Sequence, residues 1–305
     1  MSDDGGTSAR DRLVAFRRAH AHHPRLRRRQ VEVRGLRFAV FTTPEVPGAT
    51  PLVCVNGGLL YPHTLLWPAL APLAANRQLI LYDQRGRGES EAPRDPASAR
   101  IEDDAADLPA LRDALALSRW DVLGHSWGAA IAMLGTERDP AGTRRLVLVD
   151  PVGATSAWMD DLLDNAARRL SAAGRARLHR FDRAALSTAD PAVHSGASHA
   201  MFPAWFADPA LAMFVPLPRS TSLTGSAAAG RLWRQGYDWT PLLRAVQPPT
   251  IVIHGERDLM PLSVADTLTR LLPRASLAVV EQSGHLPFLE SPDRFFELVE
   301  GFLSP

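Results

Sequence analysis

Six short apolar runs, at residues 52–55, 78–82, 120–123, 145–149, 250–253 and 277–280, constrain this chain most. Each closes on polar or glycine-rich sequence, and none alternates. Continuous apolar runs of that length suit strands covered on both faces. Helical patterns lie between them, near residues 63–75, 98–117, 127–138, 262–272 and 292–303. Strand alternating with helix implies a mostly parallel, doubly wound α/β sheet with right-handed crossovers. Ahead of it, residues 27–33 and 36–41 alternate polar and apolar around Arg34-Gly35, which reads as an N-terminal antiparallel hairpin. Ser291-Pro292 reads as a helix start, a capping hydroxyl followed by proline at the first helical position.

The rhythm breaks over residues 152–240, where no strand signal occurs. That stretch holds nine of the 21 aromatic residues, including four of seven tryptophans. It reads as an inserted helical cap over one end of the sheet, with most aromatics packing its own core and a few lining a ligand pocket. Residues 27–151 and 241–305 then form the α/β core. Residues 1–26 form an arginine-rich arm, read as a solvated lead-in helix because the rest of the chain shows no basic stripe.

Composition removes several function classes. The 34 basic residues are all arginine, so Schiff-base, pyridoxal-phosphate and P-loop lysine chemistry are excluded. A net charge of +1 favours neither nucleic acid nor membrane as a partner. Cys54 is the single cysteine, which excludes an intrachain disulfide and a thiolate metal cluster. It is strand-internal and reads as a small buried apolar residue. His20, His22 and His23 lie in the arm with no carboxylate set beside them, so no metal is expected. No apolar run reaches about 18 residues, and residues 1–10 lack the apolar stretch of a signal peptide. A cytoplasmic protein acting without a cofactor on a small molecule or short peptide is the expectation.

Gly124-His125-Ser126-Trp127-Gly128 follows one apolar run and opens a helix. This is G-x-S-x-G in the strand–turn–helix setting that lifts a serine hydroxyl above the sheet edge. The helix N-terminus beneath it favours negative charge developing nearby. A serine hydroxyl needs a base. His285, between Gly284 and Pro287 after the last strand, is the first choice, and His254 at the end of a strand is its rival. His125 adjoins the serine, but successive residues of such a turn point apart. The base needs a carboxylate. Asp258 follows the fifth run, giving the order Ser…Asp…His; Asp150 is the runner-up, and Glu256 reads as a loop or salt-bridge residue. The oxyanion requires backbone donors. Trp127 supplies one N–H, and Gly58 of Asn56-Gly57-Gly58-Leu59-Leu60 the other, with Leu59 the alternative. Gly57 reads as a turn residue needing positive φ.

These stretches resemble α/β-hydrolase-fold serine hydrolases, and most of all the proline iminopeptidase branch. The resemblance covers about residues 30–305. It is carried by Tyr82-Asp83-Gln84-Arg85-Gly86-Arg87-Gly88-Glu89-Ser90, the serine turn, His254-Gly255-Glu256-Arg257-Asp258, and residues 283–292. It implies a Ser126–His285–Asp258 triad and an acyl-enzyme. Asp83 and Arg85 read as an ion pair or loop braces. Two departures bear on substrate. The branch's HGGPG loop is here Asn56-Gly57-Gly58-Leu59-Leu60, and the glutamates that hold a substrate amine in that branch are missing, because residues 151–240 contain no glutamate. Asp238 is the aspartate placed to replace them, or else a helix cap. Leu59, Trp205, Trp233, Tyr237 and Asp238 are the expected substrate contacts. Without an amine anchor, an esterase, lactonase or thioesterase acting on a small apolar substrate, or an acyltransferase, fits the same triad.

Overall fold

The computed structural model describes residues 8–304. The reading of residues 1–7 as part of the arm lies outside the described residues.

Eight strands form one sheet in the order β1-β2-β4-β3-β5-β6-β7-β8. They are β1 (Arg27–Val33), β2 (Leu36–Thr42), β3 (Leu52–Val55), β4 (Leu79–Tyr82), β5 (Trp120–His125), β6 (Thr143–Val149), β7 (Thr250–Gly255) and β8 (Ala275–Val280). β1 and β2 are antiparallel to each other, β2 is antiparallel to β4, and all later pairings are parallel. The hairpin turns where expected, with φ of 49° at Arg34 and 78° at Gly35. Two positive-φ residues are what a twisted two-residue hairpin loop demands. β5 and β7 run past their apolar runs into His125 and Gly255, because ladder hydrogen bonds are indifferent to side-chain polarity.

The helices are α1 (Ala9–Ala19), α2 (Ile101–Ala114), α3 (Trp127–Arg138), α4 (Leu162–Arg169), α5 (Ala172–Leu178), α6 (Arg183–Leu186), α7 (Pro191–Met201), α8 (Leu223–Gln235), α9 (Thr240–Leu243), α10 (Leu262–Leu271), α11 (Pro287–Glu290) and α12 (Pro292–Leu303). Alternate strand residues face opposite layers. Val53, Val122, Leu146 and Val252 meet α2, α3 and α10, whereas Leu52, Leu123, Val147 and Ile251 meet α1 and α12. This two-sided burial is why the runs are continuously apolar. Between β6 and β7 the described elements are helical. Met159, Leu162, Leu178, Ala197 and Trp233 give that segment its own cluster.

Three expectations need correction. Residues 63–75 form two 3-10 segments, His63–Leu65 and Ala71–Ala75, in place of one helix. Pro68 and Pro72 lack the N–H that a continuous helix would use. Ser291 does precede α12, but its hydroxyl donates to Glu281 O at 3.2 Å and caps nothing. α1 is not merely solvated: Leu13 and Phe16 are buried, Phe16 stacks on Phe296 at 5.8 Å, and Arg12 Nε donates to Glu290 O at 3.0 Å. Its arginines at 17 and 18 remain exposed. Leu13→Asp should therefore undock α1, raising the rate of tryptic cleavage at Arg17 and Arg18 about tenfold or more, with little change in the sheet's urea midpoint.

Candidate active site

The parallel strands all end at one edge of the sheet, and the loops leaving that edge build the site. Ser126 stands between β5 and α3 with φ 55° and ψ −124°. A side-chain-bearing residue held there is strained by about 1–3 kcal/mol. Neighbours over-determine the turn. Ser126 N–H donates to Val149 O at 2.9 Å. A Cβ on Gly57 would sit 2.6 Å from His125 O and 2.7 Å from Ser126 Cβ, and one on Gly128 would strike Val55 O. Gly57 is thus required by close approach, not by positive φ as the sequence suggested. The positive φ values of that loop belong to Gly58 (76°) and Leu59 (54°).

His285 lies at the same edge, where its Nδ1 meets Asp258 Oδ2 at 2.9 Å. Ser126, Asp258 and His285 are 7%, 5% and 6% exposed. With Nδ1 directed to the carboxylate, Nε2 is the ring nitrogen left for other chemistry. Burial alone would raise Asp258, but the His285 imidazole, its hydrogen bond, His254 and Asp150 together hold its carboxyl below the usual range. His254 is fully buried with Nε2 at 3.1 Å from Met260 O, the position of a structural histidine. Asp150 is also fully buried and accepts from Gly255 N–H at 2.8 Å. Asp150, His254 and Asp258 bring donor atoms within 4.8 Å of one another. Asp258 is engaged by His285 and His254 Nε2 by Met260 O, whereas Asp150 Oδ2 and His254 Nδ1 have no hydrogen-bond partner among the described residues.

The structure adds partners that local sequence did not indicate. His125 Nε2 lies 2.8 Å from His285 O, its ring lies 4.8 Å from the His285 ring, and burial pushes it down to about 3. Neutral His125 therefore donates through Nε2–H and fixes the His285 backbone. Glu290 receives the N–H groups of Ala207 (2.8 Å), Gly284 (3.0 Å) and Leu286 (3.4 Å). Trp205 O receives His285 N–H at 2.7 Å. Arg169 donates to Asp258 O and to Arg257 O, each at 2.6 Å. Trp205 and Arg169 lie far from His285 and Asp258 in sequence and meet backbone atoms, so no motif announces them.

The loop at 56–60 is braced from below. Arg87, 1% exposed, donates to Leu59 O at 2.7 Å and forks onto Asp104 at 2.8 and 2.9 Å. Asp83 and Arg85 do brace loops, but not as each other's partner. Asp83 accepts from His63 N–H and Glu89 N–H, and Arg85 forks onto Asp107. Trp127 N–H is the first of α3 and so lacks an intrahelical acceptor. Gly58 N–H meets no acceptor among the described residues.

A cavity covers Ser126 and His285. Leu59, Leu60, Tyr61, Trp127, Trp158, Met159, Leu162, His194, Ser198, Met201, Phe202, Trp205, Leu217, Trp233 and Leu286 are among its lining residues. Of the expected substrate contacts, Leu59, Trp205 and Trp233 line it, as does Gly58. Two expected contacts fall elsewhere. Tyr237 stands behind the wall, its hydroxyl accepting from Trp158 Nε1 at 2.7 Å and its ring stacked on Trp239. Asp238 is exposed, is not among the lining residues, and accepts from Thr240 N–H at 2.8 Å at the start of α9. Trp158, His194 and Met201 were not singled out by sequence, since aromatic and apolar residues of a helical segment carry no mark of which side faces the cavity. Cys54 is buried, and burial pushes its thiol up to about 12, so it is no thiolate nucleophile.

The strand order, the antiparallel start and the strained serine turn define an α/β hydrolase. The family model of the alpha/beta hydrolase fold matches residues 50–292, and the chain belongs to that family. It is similar to a proline iminopeptidase of Heyndrickxia coagulans, 25% identical over 90% of this chain and 97% of that protein. It is similar also to a 2-hydroxymuconate semialdehyde hydrolase of Pseudomonas sp. (strain CF600), 32% identical over 83% of this chain and 87% of that protein. Its fold matches the crystal structure of the proline iminopeptidase of Mycobacterium smegmatis with TM-score 0.69 and 24% identity, covering 91% of this chain and 97% of the other. No described helix is long and apolar enough to cross a membrane.

Two consequences can be measured. Arg87→Met leaves Asp104 buried and unpaired and frees Leu59 O; it should cost about 3–5 kcal/mol in urea unfolding. Burial raises Glu290 to about 7 despite its three N–H donors. A carboxyl raised on folding contributes stability that is present below its unfolded value near 4.5 and is lost as pH rises through about 7. Glu290→Gln should abolish that slope between those pH values. It should also cost about 1–3 kcal/mol at pH 5, because one buried N–H loses its acceptor. A chemical-denaturation series across pH reads both effects.

Proposed function

We propose that this hydrolase cleaves an acyl bond of a small, neutral, apolar substrate through an acyl-serine intermediate. The observation that carries this reading is the wall of the cavity over Ser126, which among the described residues contains neither carboxylate nor arginine. Its polar groups are the neutral Tyr61 and Ser198 hydroxyls and buried imidazoles such as His194, which burial pushes down.

In this mechanism Ser126 Oγ adds to the acyl carbon while His285 Nε2 takes its proton. Asp258 holds Nδ1–H and stabilises the imidazolium. The oxyanion is received by Trp127 N–H and Gly58 N–H, with Leu59 N–H beside them. Positive φ at Gly58 and the Arg87 bond to Leu59 O aim that loop before substrate arrives. The imidazolium returns its proton to the leaving group. Water then adds to the acyl carbon as His285 Nε2 takes its proton; the acyl–Oγ bond breaks, that proton passes to Ser126 Oγ, and the acid leaves. No cofactor enters. Residues 152–240 serve as the cap that excludes bulk water and supplies the apolar contacts.

An iminopeptidase reading is favoured by the names of the relatives. It needs a negative partner for a substrate ammonium, and Asp238, the candidate, lies outside the cavity. An ammonium buried without that partner loses hydration and gains no charge-assisted bond. Esters, lactones and thioesters make no such demand.

The test is hydrolysis of a short-chain p-nitrophenyl ester beside proline p-nitroanilide, with fluorophosphonate labelling of the wild type and Ser126→Ala. We expect ester cleavage, weak or no anilide cleavage, and loss of label in Ser126→Ala with kcat down about 10⁴-fold or more. Label retained by Ser126→Ala would place the nucleophile elsewhere. Efficient anilide cleavage would overturn the neutral-substrate reading while leaving the triad intact.

A further inference from the structure

The mechanism above uses one of two buried carboxylates at the acid end of the site. Asp150, at the end of β6, and Asp258, after β7, are both shielded from water, with side chains fully inaccessible. Their carboxylate oxygens lie within 4.8 Å of each other and of a His254 ring nitrogen. The same separation relates Asp150 to His125 and His285. Two anions at that distance in a low-dielectric interior repel strongly, so the pair holds a proton.

The hydrogen bonds decide which member carries it. Asp258 is committed as an acceptor on both oxygens, Oδ2 from His285 Nδ1 at 2.9 Å and Oδ1 from Met260 N–H at 3.2 Å. Asp150 Oδ1 accepts from Gly255 N–H at 2.8 Å, whereas its Oδ2, equally buried, meets no N–H or O–H donor among the described residues. A buried carboxylate oxygen without donors is costly, but a carboxylic O–H at that place has acceptors to hand. Asp258 is one. His254 Nε2 is spent on Met260 O, and its Nδ1 lies 3.5 Å from the other Asp150 oxygen, Oδ1. Glu290 of α11 adds further negative potential. Burial, then the Asp258 charge, push Asp150 well above the ordinary carboxylate range, in keeping with this geometry.

We propose that Asp150 stands in the folded protein as the neutral acid and donates a hydrogen bond to Asp258, acting as a positioning residue for the carboxylate behind His285. The proton stays on Asp150 throughout. Its bond withdraws electron density from Asp258, fixes the carboxylate plane against His285 Nδ1, and limits how strongly the anion favours the imidazolium. The consequence for catalysis rests on the triad reading given above; the protonation state of Asp150 does not.

Asparagine at position 150 can accept from Gly255 N–H and donate to Asp258, reproducing the neutral acid; alanine can do neither. In the pH profile of kcat/KM for ester hydrolysis, Asp150→Asn should keep the acid limb at the wild-type position. Asp150→Ala should move that limb up by about half a unit or more, because an unshielded Asp258 stabilises the imidazolium further. Infrared difference spectra, wild type minus Asp150→Asn at pH 7, should show a carboxylic-acid C=O band. An acid limb shifted down in both variants would mean that Asp150 is ionised, and an unmoved limb in Asp150→Ala would mean a structural role only. Absence of the infrared band would overturn the proposal whatever the activities. A band present while Ser126→Ala keeps its fluorophosphonate label would uphold the Asp150 assignment and sink only the triad.

Discussion

The site depends on one backbone constraint: a serine held at φ 55° where β5 turns into α3. That conformation does not persist by itself. It is held because β3 and β6 are hydrogen-bonded to either side of β5, because Val149 O takes Ser126 N–H, and because two glycines let the loop after β3 press against the turn. The same contact that imposes the strain also delivers Gly58 and Leu59 beside the serine. Strain and the placing of the second donor loop are thus one feature of the packing. Arg87 extends the arrangement outward, because its guanidinium ties Leu59 O to Asp104 of α2. Its pairing with Asp104 is buried, so its worth lies less in net stability than in fixing where one loop carbonyl sits.

The helical segment between β6 and β7 is not a cover resting on a finished site. Arg169 of α4 holds the carbonyls of Arg257 and Asp258, Trp205 O holds His285 N–H, and Ala207 N–H joins the Glu290 cluster. The acid loop and the histidine loop are therefore stabilised from both the sheet side and the helical side. Residues 202–207 therefore join the His285 loop to the cavity wall, which Phe202 and Trp205 line. The arm adds a third layer: α1 docks through Leu13 and Phe16, and Arg12 reaches Glu290 O, the same residue whose carboxylate holds Gly284 and Leu286.

What the sequence made legible follows from range. Strands and the main helices are written in local periodicity, and the serine turn in five contiguous residues, so these could be read directly. The His285–Asp258 contact spans 27 positions but was readable because both sit on loops that parallel topology sends to one edge. Failures came where local pattern and long-range partner diverge. Residues 63–75 carry a helical apolar pattern that two prolines interrupt. Asp83 and Arg85 are two positions apart in sequence, yet each finds a partner elsewhere, at His63 and Asp107. Tyr237 and Asp238 lie where the chain returns to the sheet, but one ring faces the Trp158 side of the wall and the other side chain caps a short helix.

Family likeness and cavity chemistry favour different substrates, and the proposal follows the cavity. The fold, the triad geometry and the donor loop are common requirements of acyl transfer and say nothing about what flanks the acyl group. Selectivity resides in the wall. Here the wall is aromatic and aliphatic, broken by hydroxyls and by imidazoles that burial keeps neutral. An ionised substrate end entering it would give up hydration without meeting an opposite charge, a loss that increases as the cavity becomes drier. A neutral acyl chain gains from each of those contacts. The missing cap glutamates and the outward-facing Asp238 are thus the same observation made at two levels, one in composition and one in space. Together they are what the proposed neutral-substrate reading rests on.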